Sequence, residues 1–312
     1  MLSKATNINL HLPTGWNRCT TEELENIAAA IIGEQQRVGR YHPFDWYRVK
    51  LNVVLAINDI TVLRDNDIPT KDDEIEWLVR RPQDSEPWPI TTGQLVSLTE
   101  RLAWIDDEKI SKVIFQFPYP EMTLDVIGKT ADHRTIVGPP PLLDGYTWQE
   151  YRCMTDWMQS YMRHSNAKNA DAAAQAQREF LAILFKPKAG GGHDNDISKH
   201  RDNDKIDAAI FEGFDPVKWQ VILFWWSSLM SMLAKKFPKV FKQQPVGKGK
   251  RRPKQQDTPW DFYNRVTATI QKYIGGLSEQ DVNSATYGTI LQQLEMMADE
   301  AAELERAKSR HP

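Results

Sequence analysis

Between Trp219 and Phe241 the chain reads WQVILFWWSSLMSMLAKKFPKVF, apolar on nearly every face of a helix, and it then passes directly into the basic, glycine- and proline-bearing residues 242–254. A helix that is apolar all round must be covered by other helices, by a partner chain or by a bilayer. A bilayer fits least well, because the apolar core, residues 221–234, is shorter than the roughly 20 residues needed to span hydrocarbon. The basic segment beside it offers a surface to something acidic. The chain must therefore either build a helical layer around this run or present it to a partner.

Composition narrows the choice. With 312 residues, 41% hydrophobic and 26% charged, the chain has a globular balance and the length of one large or two medium domains. A net charge of -3 and a pI near 6.2 exclude the uniformly basic surface of a DNA-coating protein, so any nucleic-acid contact would be local. Cys19 and Cys153 are far apart and lack metal-ligand spacing, which suits a reducing compartment better than a disulfide scaffold. The opening MLSKATNINLHLP lacks the apolar core of a signal peptide. These features predict a soluble, cytoplasmic chain without a membrane partner.

Along the first half, Ile8, Leu10 and Leu12 alternate with polar neighbours as a short strand would, ending at Pro13 and the Thr14-Gly15 turn. Thr20 and Glu23 have the spacing of a capping box, and Leu24, Ile27, Ala28, Ile31 and Ile32 follow as a buried helical stripe that Gly39 should end. Asp45 caps a second predicted helix through Ile57, and Thr91 or Thr92 starts a third with Leu95, Leu98, Leu102 and Trp104. The charged connector between them has room for one strand around Ile75 to Val79. Residues 112–117 and 122–127 flank Pro118-Tyr119-Pro120-Glu121 and read as a hairpin, with Thr135 to Val137 as a further strand.

Pro139-Pro140-Pro141 interrupts any ladder, which places a domain boundary between Gly138 and Tyr146. Beyond it the pattern is helical. Thr147 with Glu150 repeats the capping box, a second helix runs to Pro187, Asp215-Pro216 opens the apolar helix, and Thr258-Pro259 opens another that Gly275-Gly276 ends. A last helix extends from about Tyr287 to Lys308, with Ile290, Leu291, Leu294, Met297 and Ala298 on one face and a solvated acidic end. The predicted class is mainly α with a small β component: an α+β domain over 1–145, with helices and a short antiparallel sheet, then a helical domain over 146–312 with irregular loops near 188–205 and 242–257.

Three constellations bear on chemistry. His193, Asp194, Asp196, His200, Asp202 and Asp204 share one glycine-rich loop and are suitable zinc or manganese ligands, but their spacing matches no defined site, so a solvated loop is the reading taken. Gly190-Gly191-Gly192 lacks the lysine-serine pair of a phosphate-cradling loop. The basic run from Lys235 to Lys254 holds no acidic residue; Lys248, Lys250, Arg251, Arg252 and Lys254 are its candidate contacts for an anionic partner, either an acidic protein surface or nucleic acid, with a solvated linker as the plain reading. No serine-histidine-acid trio or carboxylate pair can be assembled from the sequence order, so no enzyme, cofactor or metal is expected. For a protein partner, the candidate contacts are Trp219, Phe224, Trp225, Trp226, Met230, Leu291, Leu294 and Met297.

Four short motifs carry a resemblance: Leu12-Pro13-Thr14-Gly15-Trp16; Gly138-Pro139-Pro140-Pro141-Leu142-Leu143 ahead of Thr147-Trp148-Gln149-Glu150-Tyr151; Leu181-Ala182-Ile183-Leu184-Phe185-Lys186-Pro187; and Phe237-Pro238-Lys239-Val240-Phe241. In their order they resemble poorly characterised proteins from the tail and virion modules of Bacteroidales phages and prophages. That resemblance implies a role in tail or virion assembly, as a chaperone for a helical client such as a tape measure protein. The alternatives are a connector-like structural component, which could form a homo-oligomer, and a nucleic-acid-binding accessory. A phage-encoded chain of this kind would work in the host cytoplasm or in the virion. None of the four motifs carries chemistry, and none assigns active residues.

Overall fold

A computed structural model describes residues 10–38, 42–65, 76–107, 113–125, 133–188, 206–241 and 259–310. The described chain is predominantly helical with two small antiparallel sheets, which is the expected mainly-α class with a minor β part. It divides into two compact units. The first comprises residues 1–114 and 215–228, and the second residues 115–214 and 229–312. The segment between Gly138 and Tyr146, where the sequence placed a domain boundary, lies within the second unit.

In the first unit, helix α1 (Thr21–Arg37) starts at the Thr20 capping box: the Glu23 amide donates to Thr20 Oγ1 at 3.2 Å and the Thr20 amide donates to Glu23 Oε2 at 2.7 Å. Helix α2 (Trp46–Ile57) is capped by Asp45, which accepts from the Tyr47 amide at 2.9 Å. α1 packs on α2, burying Ile27, Ala28, Val49, Val53 and Val54. Buried Glu34 fixes the junction, accepting from the Asp45 amide at 3.0 Å and from Arg37 Nε at 2.9 Å. The Arg37 hydrogen bond, against the opposing effect of burial, holds the Glu34 carboxyl below its usual range.

Three strands follow: β1 (Thr61–Asp65), β2 (Glu76–Arg80) and β3 (Trp88–Thr91), in the order β1-β2-β3. β2 is the strand expected near residues 75–79, and β1 and β3 are additional. Their pairing places Trp77 opposite Ile90 and Val79 opposite Trp88, so one face packs into a cluster with Ile60, Leu95 and Leu98. Helix α3 (Thr92–Glu100) begins at a second capping box between Thr91 and Gln94. Residues 10–12 form no strand. Leu12 is buried, and the neighbouring Trp16 stacks edge-on against Trp104 at 5.2 Å. Gly39, expected to end α1, lies outside the described residues; the described helix ends at Arg37.

The second unit is organised by a hairpin of helices α4 (Trp148–Asn166) and α5 (Ala170–Leu184), joined by three residues. Its sheet consists of β4 (Glu121–Asp125), β5 (His133–Val137) and the two-residue β6 (Lys186–Pro187), in that order. β6 follows α5 directly and pairs with β5 on the other side of the helical hairpin in sequence, which ties the sheet to the two helices. The expected hairpin across Pro118-Tyr119-Pro120-Glu121 is not formed. Residues 113–120 are irregular and the ladder runs between β4 and β5 instead, because two prolines so close together remove ladder donors. This irregular segment is packed tightly: a Cβ added to Gly138 would lie 2.3 Å from the Tyr119 carbonyl oxygen and 2.4 Å from Phe117.

Helix α6 (Pro216–Lys236) is the apolar run, opened by Asp215, whose carboxylate accepts from the Val217 amide at 2.8 Å. Helix α7 (Pro259–Ile274) ends at Gly275 and Gly276, both at positive φ, as expected of glycine at a helix C-terminus. Helix α8 (Glu279–Ser284) was not anticipated; its Ser278 cap pairs with Asp281. Helix α9 (Tyr287–Arg310) closes the described chain. α4 contacts α7, α8 and α9, and the connection into α9 is pinned by the Trp148 amide donating to the Ala285 carbonyl at 2.8 Å and the Tyr287 amide donating to the Tyr146 carbonyl at 3.0 Å.

Candidate functional site

The apolar helix is consumed by the fold. Trp219, Val221, Ile222, Phe224, Trp225 and Trp226 are all buried, with Trp225 only 1% exposed. In the first unit Phe224 packs edge-on against Trp16 at 5.2 Å. Ser228, 1% exposed, accepts a hydrogen bond from the Ile114 amide at 2.7 Å. From Leu229 on, the helix belongs to the second unit, where Met230 sulfur accepts from Tyr151 Oη at 3.7 Å. Of the candidate partner contacts, Trp219, Phe224, Trp225, Trp226 and Leu291 are buried within the chain, while Met230, Leu294 and Met297 are half-buried. As folded, the tryptophan-rich run presents no continuous apolar face.

The acidic face of α9 and the start of the basic run meet each other. The Lys239 and Val240 amides both donate to the Glu295 carboxylate, at 3.1 and 3.2 Å, and the Lys239 ammonium pairs with Asp299. The anionic-partner candidates Lys248, Lys250, Arg251, Arg252 and Lys254 lie outside the described residues, as does the loop carrying His193 and His200. Among the described residues no group of three or more histidine, cysteine or acidic side chains is arranged around a common point. Neither cysteine is in a disulfide, and burial, with the Glu23 charge adding to it, pushes the Cys19 thiol up to about 12.

What the sequence does not single out is a cleft of about 310 Å³ in the second unit, where three distant segments converge. The Pro141–Leu143 turn gives Pro141 and Leu142, with Asp144 and Gly145 following; the end of α6 gives Leu233 and Lys236, with Phe237 beyond it; the start of α9 gives Thr286, Tyr287 and Gly288. Leu233, Phe237 and Tyr287 are buried and form the apolar lining, whereas Asp144 and Lys236 are exposed and stand at the rim. Lys236 holds its ammonium 5.4 Å from the centre of the Phe237 ring.

The Pro141–Leu143 turn has a strained backbone. Leu142 and Leu143 sit in succession at φ 55° and 54°, a left-handed conformation that costs a side-chain-bearing residue about 1–2 kcal/mol each. Leu143 is fully buried and anchors the turn, while Leu142 remains 36% exposed beside the cleft. Tyr287 Oη donates to the Leu142 carbonyl and holds the strained peptide in place. Burial, reinforced by the Asp144 charge, pushes the Tyr287 phenol up to about 12, so it remains a donor at neutral pH.

Beneath the turn, Tyr146, fully buried, donates its hydroxyl to the Leu184 carbonyl. The Glu150 carboxylate accepts from the Thr147 amide at 2.7 Å and from the Lys186 ammonium at 2.6 Å. Burial pushes the Glu150 carboxyl up, but the Lys186 charge and these hydrogen bonds outweigh it and leave the group below its usual range. These bonds tie the residues that follow the turn to the start of α4, the end of α5 and β6. Comparisons with protein-family models, with characterised proteins and with solved structures found no match.

Proposed function

We propose that the protein acts by binding, as a component of phage tail or virion assembly, and that it is a connector-like structural part rather than the holder of a helical client. The observation that carries this choice is the burial of Trp219, Phe224, Trp225, Trp226 and Leu291 within the chain itself. A chaperone that shields an apolar helix needs a contiguous apolar face to offer, and here the apolar run is spent on the protein's own core. Among the described residues no helix is long and apolar enough to cross a membrane.

One feature favours the chaperone as a second reading. Met296 and Leu304 on α9 are 56% and 63% exposed, so part of this helix carries apolar side chains that the chain does not cover. The two readings separate in the finished particle. Mass spectrometry of gradient-purified particles should find the protein at a fixed ratio to the major tail and capsid proteins. Its presence in the assembling cell combined with its absence from the particle would reverse the order of the two readings.

A further inference from the structure

We propose that the second half of α9 pairs with the same segment of a second copy of this chain, antiparallel and about a two-fold axis beside Leu304. The pairing goes beyond the structural role proposed above and stands or falls separately from it.

The apolar stripe of α9 runs further than the body that covers its start. Ile290, Leu294, Met297, Ala301 and Leu304 follow one another at alternating spacings of four and three residues, the period that keeps one stripe of a helix turned toward a partner helix. Along this stripe the cover falls away. Ile290 is 2% exposed where α9 packs with α4 and α7, Leu294 and Met297 are half-buried, Ala301 is exposed, and Leu304 is 63% exposed. The exposed alanines Ala301 and Ala307 flank Leu304 on the helix surface, which leaves room for a second helix to approach on either side of it.

Charge selects the occupant. Residues 300–305 carry Glu300, Glu303 and Glu305 and no base, and residues 306–310 carry Arg306, Lys308 and Arg310 and no acid. The acids one turn earlier, Glu295 and Asp299, already hold the Lys239 and Val240 amides and the Lys239 ammonium. An antiparallel second copy sets each acidic block against a basic block, twice over by symmetry, whereas a parallel copy opposes like charges. Antiparallel helices also set opposite dipole ends side by side. A helix of uniform charge would complement one block and repel the other. The boundary between the blocks falls next to Leu304, so the two copies of that side chain meet near the axis. Residues 300–310 make about 16 Å of helix, a contact shorter than that of a standard stable interface, so the dissociation constant should be on the order of 10–100 μM.

Sedimentation equilibrium of the full chain from about 1 to 300 μM tests the pairing, and a reversible monomer–dimer equilibrium is expected. Leu304→Glu should weaken the dimer at least about tenfold and leave the melting temperature of the monomer unchanged, because the side chain is exposed in the single chain. Orientation is read from a chain with the two blocks exchanged: Glu300→Lys, Glu303→Lys, Glu305→Lys, Arg306→Glu, Lys308→Glu and Arg310→Glu. The exchange keeps the acid–base spacings within the helix, so this chain should pair with itself about as the parent does. In a mixture with differently labelled parent chain it should form no mixed dimer, since antiparallel packing then opposes like charges. A parent chain that stays monomeric across the range, a Leu304→Glu dimer as tight as the parent's, or preferential pairing of the exchanged chain with the parent would overturn the proposal. Retention of the protein in purified particles is read separately, so self-pairing can fail while the structural role stands.

Discussion

Two glycines show how differently one residue type can be constrained. Gly138 is held where any side chain would collide with the Tyr119 carbonyl and the Phe117 ring, and its own amide donates to the Pro120 carbonyl at 3.0 Å. Gly138→Ala should therefore destabilise the protein by about 1–3 kcal/mol, the usual cost of overpacking. Gly33, exposed within α1 with no atom within 4 Å of where a methyl would sit, should behave oppositely, and Gly33→Ala should stabilise by about 0.5–1 kcal/mol. Urea titration of the two variants checks both signs. Glu150 adds a pH signature. Its folded-state carboxyl titrates below the usual 4.5, so its contribution is fully present above that value and is lost as the pH falls through the lower folded-state value. Glu150→Gln should flatten the acid limb of the stability-pH curve, and an unchanged limb would remove Glu150 from the account.

At the scale of elements, α6 decides the most. Trp225→Ala should cost about 3–5 kcal/mol of stability, as for any large aromatic removed from a core, and thermal melts of the isolated chain should register the loss without any partner present. The elements whose ends are set by local chemistry were legible in the sequence: the hydroxyl-to-glutamate spacing at Thr20 and Thr147, the Asp45 and Asp215 caps, and the Gly275-Gly276 stop all act within one helical turn. Elements set by distant partners were not. β1 and β3 are short and carry charge or proline, so only their pairing with β2 makes them strands, and β6 is defined by two residues against β5. The expected hairpin at residues 112–127 failed for the same reason, since its β-rich first half packs as irregular chain around Gly138. The cleft was illegible because its lining is drawn from three segments, none of which carries a site motif alone.

For the molecule as a whole, the sequence posed one alternative: the apolar run is either covered within the chain or offered to a partner. Its burial in the core moves the search for a partner surface to the cleft and to the exposed part of α9. The most direct test of that claim is hydrogen-deuterium exchange of the isolated, full-length chain, read by mass spectrometry across α6. If the helix is core, amides from Val221 to Leu233 should be among the slowest in the protein and should exchange only through global unfolding. Exchange of those amides at the rate of the exposed loops, with the rest of the fold still protected, would mean that the apolar helix is free for a client and would contradict the account.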